Sequence, residues 1–296
     1  MSLLTKVKTR LALHARRPVH GLLDGQYASR LSGRSLDFAD LREYRTGDDV
    51  ADVDWKASAR HGELLVKRYV ADRKHTVLLV VDTGREMSGL AAWGEQPVEK
   101  RDLLVVAAGV VGWLAVSRGD YVGLVHNGTQ GPVVTRPSTR ELELERMLQQ
   151  IRGSCGPETP RQETPALLEH AVSAARRRAI MFVLLGDVDV DGPTEGALRR
   201  LAVQHELTVI TVADLDPTLP GRAGQAGQDA GTDRRFPAFA ATSATLAEAI
   251  RTDVEERAAR RDAALRRLGV THVHLADDSR VVQDVLGLVE TTRRAR

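Results

Sequence analysis

The chain has 296 residues, of which 42% are hydrophobic, 28% charged and only 4% aromatic, with a formal net charge of +2. This is the composition of a globular protein with a core of Val, Leu and Ala, and the scarcity of aromatic residues argues against a nucleic-acid partner. The single cysteine, Cys155, excludes an internal disulfide and a thiolate-rich zinc site. No apolar stretch is long enough to cross a membrane, and the start lacks the sustained apolar core of a signal peptide, so we expect a cytoplasmic protein.

Two segments precede the main pattern of the chain. Residues 1–18 predict a basic helix closed by Pro18, with its charged residues on a solvated face. Residues 19–73 are dense in Gly, Asp and Arg and have poor helical periodicity. They predict an irregular segment, with one strand at 64–70 leading towards a third region, 74–296.

From residue 74 onward, strands alternate with helices. The predicted strands are 74–82, 120–126, 131–136, 179–187, 206–213 and 270–275, and the predicted helices are 98–118, 139–151, 164–178, 194–204, 245–268 and 280–291. Asn127-Gly128 predicts a hairpin turn, so the third strand should pair antiparallel with the second. The pattern indicates an α/β fold with a doubly wound, mostly parallel sheet and an antiparallel edge strand. A Gly- and Ala-rich stretch at about 214–244 predicts a flexible excursion.

Acidic residues follow two of the predicted strands. Val77–Val81 run directly into Asp82, and another apolar run is followed by Asp187. An unbroken apolar run is typical of a strand buried on both faces, and open α/β sheets bind ligands at the carboxyl ends of their strands. The chain has no glycine-rich phosphate loop. Acids at this edge therefore raise the question of a metal ion.

The segment before the sheet carries a long motif. The pattern R-x-Y-x-x-G-D-D-x-R-x-I-D-W-x-x-x-A-R is matched by Arg42, Tyr44, Gly47, Asp48, Asp49, Asp54, Trp55, Ala59 and Arg60, whereas Ala51 and Asp52 stand in the region of its internal Arg. The motif resembles the signature of domain-of-unknown-function family 58, in which it precedes a von Willebrand factor A-like domain. The resemblance implies a protein typically encoded beside a MoxR-type AAA+ ATPase, acting as an adaptor or chaperone partner with no established reaction.

The resemblance also implies a place for a metal site. A von Willebrand A-type site has an Asp-x-Ser-x-Ser loop after the first strand, a distant Thr and a second Asp after the fourth strand. These positions are matched here by Asp82, by Gly84 and Glu86 in place of the two serines, by Thr164 (with Thr159 as second choice) and by Asp187. The loop has lost both hydroxyls, and Asp82, Glu86 and Asp187 would bring three carboxylates to one point. Either a divalent cation such as Mg²⁺ or Mn²⁺ neutralises them, or one of them is protonated, or Arg85 or another arginine pairs with them. The favoured interpretation is a vestigial site held by hydrogen bonds and ion pairs.

The acids of the signature also have two interpretations. With His61 nearby they would suggest a metal hydrolase, but no His-x-x-x-His or Glu-plus-two-His spacing supports one. The favoured interpretation is structural. In it Asp48, Asp49 and Asp54 pair with Arg42, Arg45 and Arg60, and Trp55 packs on the sheet.

Three functions compete on this evidence. We favour a non-catalytic interaction or adaptor module that presents the Asp82 face to a MoxR-type AAA+ ATPase. The alternative is a metal-dependent hydrolase that uses Asp82, Glu86 and Asp187. A nucleic-acid binder using the Arg-rich termini is disfavoured, because those arginines lack interleaved aromatic residues.

Overall fold

A computed structural model describes residues 2–16, 37–70, 74–92, 97–161, 163–216, 227–237 and 243–294. The chain divides into two compact units, one formed by residues 1–16 with 75–296 and the other by residues 17–74. The first helix, α1 (Leu3–Arg16), belongs to the larger unit. The prediction of 1–18 as a separate segment therefore needs correction. No helix among the described residues is long and apolar enough to span a membrane.

The smaller unit contains regular structure where an irregular segment was predicted. Strands β1 (Asp37–Glu43) and β2 (Leu65–Val70) pair antiparallel, and a short helix, α2 (Trp55–His61), lies between them in the chain. The Asp54 side chain accepts a hydrogen bond from the Ala57 amide at the start of α2, and Gly62 ends the helix in the left-handed conformation. An N-cap Asp and a C-terminal Gly at this spacing are the signals that predict such a helix. Residues 19–36 and 71–73 of the predicted segment lie outside the described residues.

The larger unit contains the alternating pattern that the sequence predicts. Its further elements are β3 (Thr76–Val81), β4 (Leu90–Ala92), β5 (Val98–Glu99), α3 (Lys100–Val116), β6 (Tyr121–Gly128), β7 (Gly131–Ser138), α4 (Glu141–Gly153), α5 (Thr164–Ala174), β8 (Ile180–Leu185), α6 (Gly192–Gln204), β9 (Glu206–Val212), β10 (Gly227–Gln228), β11 (Arg235–Phe236), α7 (Ala244–Arg267), β12 (Thr271–Leu275) and α8 (Val281–Arg294). Every predicted helix and strand of this region is present, with ends shifted by a few residues.

Six strands form the central sheet in the order β12-β9-β8-β3-β6-β7. All neighbours are parallel except β7, which pairs antiparallel with β6 at one edge. The predicted α/β sheet is thereby confirmed. The hairpin turn differs, because Gly128 pairs with Gly131 and leaves Thr129 and Gln130 as the loop. Asn127 therefore lies within β6 and its side chain is available for another role.

The apolar residues of β3 alternate between two cores. Val77, Leu79 and Val81 belong to one cluster with residues of α1, α3, α4 and α8. Leu78 and Val80 belong to a second cluster with residues of α5, α6 and α7. The unbroken apolar run thus reflects a strand covered by helices on both faces, as predicted.

Helix α1 is part of the first core. Leu4 and Val7 are buried, and a Cβ on Gly109 of α3 would lie 2.6 Å from a methyl group of Val7, so this glycine permits the close approach of α1. Glu145 of α4 accepts hydrogen bonds from the amides of Leu3 and Leu4 at 3.0 and 2.7 Å. The apolar stripe of the predicted helix therefore faces the core, with Leu4 and Val7 buried.

The predicted flexible excursion contains an ordered part. Strands β10 and β11 pair antiparallel and form a short hairpin, residues 227–237, which we call the hairpin. Within it, Asp229 accepts hydrogen bonds from both the amide and the hydroxyl of Thr232. Residues 217–226 and 238–242 of the excursion lie outside the described residues.

Candidate functional site

Four neighbouring parallel strands are each followed by an acidic residue. Asp82 follows β3, Asp187 follows β8, Asp214 follows β9 and Asp278 follows β12. Because these strands are parallel, the four acids lie at one edge of the sheet, which we call the carboxyl edge. Strand β3 is central, and the chain continues from it to β6 on one side and later to β8 on the other. Such a change of direction is where open α/β sheets bind ligands.

Asp82 is completely buried and its carboxylate is held by two side chains. Asn127 donates from Nδ2 to Oδ1 at 2.6 Å, and the Thr164 hydroxyl donates to Oδ2. Burial raises the pKa of Asp82 to about 7, which these hydrogen bonds oppose; the charge of Glu86 raises it further and that of Lys100 lowers it. The site therefore holds a carboxyl group whose charge is costly, because the surroundings exclude water.

Thr164 is the threonine that reaches Asp82. It is the first residue of α5, preceded by Glu163, and its hydroxyl donates a hydrogen bond to Asp82. The second choice, Thr159, donates its hydroxyl to the Gly156 carbonyl at 2.6 Å. The structure therefore brings Asp82 and Thr164 together, as the family resemblance implied.

Asp187 is engaged by a different partner. Its carboxylate forms an ion pair with Arg261 of α7, whose side chain is only 3% exposed. The Arg261 guanidinium lies 3.5 Å from Nδ1 of His274, which also contacts the Thr211 hydroxyl at 2.8 Å. Burial, followed by the charge of Arg261, lowers the pKa of His274. A buried arginine therefore supplies the positive charge that Asp187 needs.

The donor set does not fit a preformed Mg²⁺ site. Mg²⁺ requires near-octahedral coordination by oxygen atoms. Both carboxylate oxygens of Asp82 accept hydrogen bonds from the protein, Gly84 has no side-chain oxygen, and Asp187 is bound by Arg261. Within the described ranges, no group of three or more His, Cys, Asp or Glu side chains is arranged to hold a metal. The expected convergence of Asp82, Glu86 and Asp187 on one point is therefore not observed.

The hairpin covers the loop that follows Asp82. Arg85 donates from Nε to the Ala230 carbonyl at 2.7 Å and pairs with Asp233. Gly231 lies directly against Glu86, since a Cβ on this glycine would be 2.8 Å from Cγ of the glutamate. The sequence did not predict this contact, because residues more than 140 positions apart form it.

Lys100 is the second buried cation of the carboxyl edge. It is the first residue of α3, is 3% exposed and pairs through Nζ with Asp214. Sequence reasoning did not identify Lys100, Asp214, Asn127 or Arg261 as site residues. Asp214 carried a usable signal, since it too follows a strand. Asn127 was assigned to a turn, and the two cations lie in helices where their charges predict solvent exposure.

Several residues of the signature motif stabilise a loop of the smaller unit. Arg42 and Asp48 form the predicted bidentate pair at 2.7 and 2.6 Å, and Asp48 also accepts from the Arg45 amide at 2.8 Å. Gly47 has φ of +108°, a conformation that favours glycine. Trp55 is 63% exposed and is not part of the buried core of the smaller unit, and its packing on the sheet stays a prediction.

The rest of the signature is partly exposed. Val53, Ser58 and Val66 provide the buried contacts of the smaller unit instead of the tryptophan. Tyr44 is half-buried, and its amide donates to the Leu64 carbonyl at 2.8 Å. Asp49, Ala59 and Arg60 are exposed. The motif therefore combines loop-forming residues with side chains that face solvent.

Comparison with known proteins identifies the family. A family model described as protein of unknown function DUF58 matches residues 40–264. The uncharacterized protein Rv1480 of Mycobacterium tuberculosis is 30% identical over 297 residues, which cover 96% of this chain and 88% of that protein. The chain belongs to the DUF58 family, as the signature predicted.

Two solved structures align with about three quarters of this chain at low sequence identity. An aerotolerance-related membrane protein from Bacteroides fragilis aligns with a TM-score of 0.46 at 11% identity, covering 74% of this chain and 99% of that one. A von Willebrand factor type A protein from Catenulispora acidiphila aligns with a TM-score of 0.41 at 12% identity, covering 77% of this chain and 44% of that one.

Proposed function

We propose that this protein is a non-catalytic interaction module of the cytoplasm, whose partner docks at the carboxyl edge of the sheet. The observation that carries the proposal is the pairing of the strand-end acids with side chains of the same chain. Asp82 binds Asn127 and Thr164, and Asp187 binds Arg261. Asp82 is also completely buried, so neither of its hydrogen-bonded carboxylate oxygens is within reach of a substrate proton. The same pairing suits a rigid surface for a protein partner.

The partner we propose is a MoxR-type AAA+ ATPase, which is the expectation from the family resemblance. The exposed part of the candidate surface is basic in places, with Arg234 and Arg235 on the hairpin and Arg161 before α5 exposed to solvent. Charged groups at the rim of an interface mainly raise the association rate and its salt dependence. An acidic surface on the ATPase would complement these arginines.

Binding of the purified protein to the neighbouring ATPase tests the proposal. Biolayer interferometry in the nucleotide-free, ADP and ATP states should detect a complex in at least one state. Reversing the charge of Arg234 and Arg235 to Glu should weaken it at least about 10-fold. Arg118→Glu is the matched control, because this exposed arginine lies before β6, at the opposite edge of the sheet. Absence of a complex in every nucleotide state would overturn the choice of partner, and equal weakening by the control would overturn the choice of surface.

A further inference from the structure

Lys100 is buried at a position that is unfavourable for a lysine. It begins α3, and its amide donates to the Gly89 carbonyl at 2.9 Å. Its side chain is 4% exposed. A buried ammonium is costly, and the amino terminus of a helix carries a partial positive charge that repels it. Some compensation at this position is therefore required.

Acidic groups from three separate segments provide this compensation. Asp214, after β9, forms the direct ion pair with Nζ. The charge of Lys100 also acts on Asp82, after β3, and on Asp229 of the hairpin. Burial would raise the pKa of Asp229, but hydrogen bonds from Thr232 and the Gly231 amide, together with the charge of Lys100, lower it below its usual value. Asp214 is thus the direct partner of Lys100, and Asp82 and Asp229 lie within range of its charge.

The stem of Lys100 lies between the loop and the hairpin. A Cβ on Gly89 would lie 3.8 Å from Cδ of Lys100 and 3.7 Å from Cβ of Ala230. The lysine stem and the hairpin thus both lie against Gly89, at the end of the loop that follows Asp82. The ammonium group therefore lies inside the protein, and it does not need the open coordination position that a metal ion would require.

We propose that the Lys100 ammonium is a built-in cation, which takes the electrostatic place of a divalent metal ion at the carboxyl edge. The chain itself then supplies the positive charges of this edge: Lys100 pairs with Asp214 and acts over a longer distance on Asp82 and Asp229, and Arg261 pairs with Asp187. The inference goes beyond the proposed function, because it holds whichever partner the surface binds. It also explains why the loop after Asp82 does not need hydroxyl groups as ligands for a metal ion.

Removal of the lysine charge should create a metal dependence that the wild-type protein lacks. Lys100→Met keeps most of the apolar stem but removes the positive charge that acts on Asp82, Asp214 and Asp229. The melting temperature of this variant should be below that of the wild type, and millimolar Mn²⁺ should raise it by at least about 3 °C. Adding Asp82→Asn to this variant should remove most of the Mn²⁺ effect. Wild type and Lys6→Met, which changes an exposed lysine of α1, should show no Mn²⁺ effect.

A second variant keeps the inference testable if Lys100→Met fails to fold. Lys100→Arg retains the positive charge and should remain insensitive to Mn²⁺, whereas Lys100→Met should be recovered by refolding with Mn²⁺ present. An Mn²⁺-dependent shift in wild type that Asp82→Asn abolishes would overturn the inference. So would a Lys100→Met protein that Mn²⁺ neither stabilises nor helps to refold. Neither outcome depends on the ATPase, so failure here is distinct from failure of the proposed function.

Discussion

Replacing Asp82 with Asn should change how the stability of the larger unit depends on pH. Burial raises the pKa of Asp82 to about 7 in the folded protein, despite hydrogen bonds from Thr164 and Asn127. The same carboxyl group has a pKa of about 3.9 in an unfolded chain. Because the pKa is higher in the folded state, the folded protein binds this proton more tightly between the two values. The free energy of unfolding therefore falls as the pH rises through this window, and the stabilising effect of the proton is lost above about pH 7.

The size of the effect follows from the difference between the two pKa values. A difference of about 3, at about 1.4 kcal/mol for each pKa unit, corresponds to about 4 kcal/mol over the whole window. Between about pH 5 and about pH 8, the titration of Asp82 should lower wild-type stability by about 2–3 kcal/mol. Asp82→Asn preserves the shape and an acceptor for Asn127 but cannot titrate. Its stability should therefore lose this part of the pH dependence.

Urea unfolding followed by circular dichroism over this pH range measures the effect. Asp82→Asn should gain stability relative to wild type as the pH rises, whereas Glu248→Gln, at an exposed position of α7, should follow wild type. Thr164→Val removes a donor that lowers the pKa of Asp82, so its fall in stability should move to higher pH. Parallel pH profiles for wild type and Asp82→Asn would refute the buried-carboxyl argument.

Three further substitutions test the packing around the site and in the smaller unit. Gly109→Leu should lower the free energy of unfolding by about 1–3 kcal/mol by forcing α1 away from α3, whereas Gly196→Ala, with open space around it on α6, should be neutral or slightly stabilising. Asp54→Ala should cost about 1 kcal/mol by removing the N-cap of α2, measured as a lower unfolding midpoint; an unchanged midpoint would contradict the cap. Gly231→Ala should displace the hairpin from Glu86 and increase hydrogen exchange at residues 227–237, and unchanged exchange would contradict the close contact.

The tryptophan of the smaller unit is exposed, and other contacts stabilise that unit. Trp55 is 63% exposed, and Val50 and Leu64 of the same unit are 59% and 47% exposed. The signature was expected to owe its aromatic residue to packing, but the unit is stabilised by the Arg42–Asp48 pair and by the caps of α2. The role of a signature residue therefore cannot be assigned from its hydrophobicity alone.

The order and type of the elements in the larger unit follow from local patterns in the sequence. Val77–Val81 is unbroken because β3 is covered on both faces, and a run of this kind is visible without any knowledge of its neighbours. The apolar runs before Asp82 and Asp187 also predicted that both acids lie at the carboxyl edge of the sheet, and the family resemblance added Thr164 to them. These are local or periodic signals, which persist in the chain whatever it packs against.

The side chains that pair with the strand-end acids are visible only in the folded protein. Lys100 and Arg261 lie in helices where a charged residue ordinarily faces solvent, so nothing in their local sequence predicts burial. Asn127 was assigned to a turn, although its side chain bonds Asp82, 45 positions away. The hairpin was assigned to a flexible stretch, although Ala230 bonds Arg85, 145 positions away. Local composition carries no information on such contacts. The energetic cost of a buried charge depends on the three-dimensional arrangement of its partners. For this reason the sequence indicated a candidate site, whereas only the fold showed that Lys100 pairs with Asp214 and Arg261 with Asp187 there.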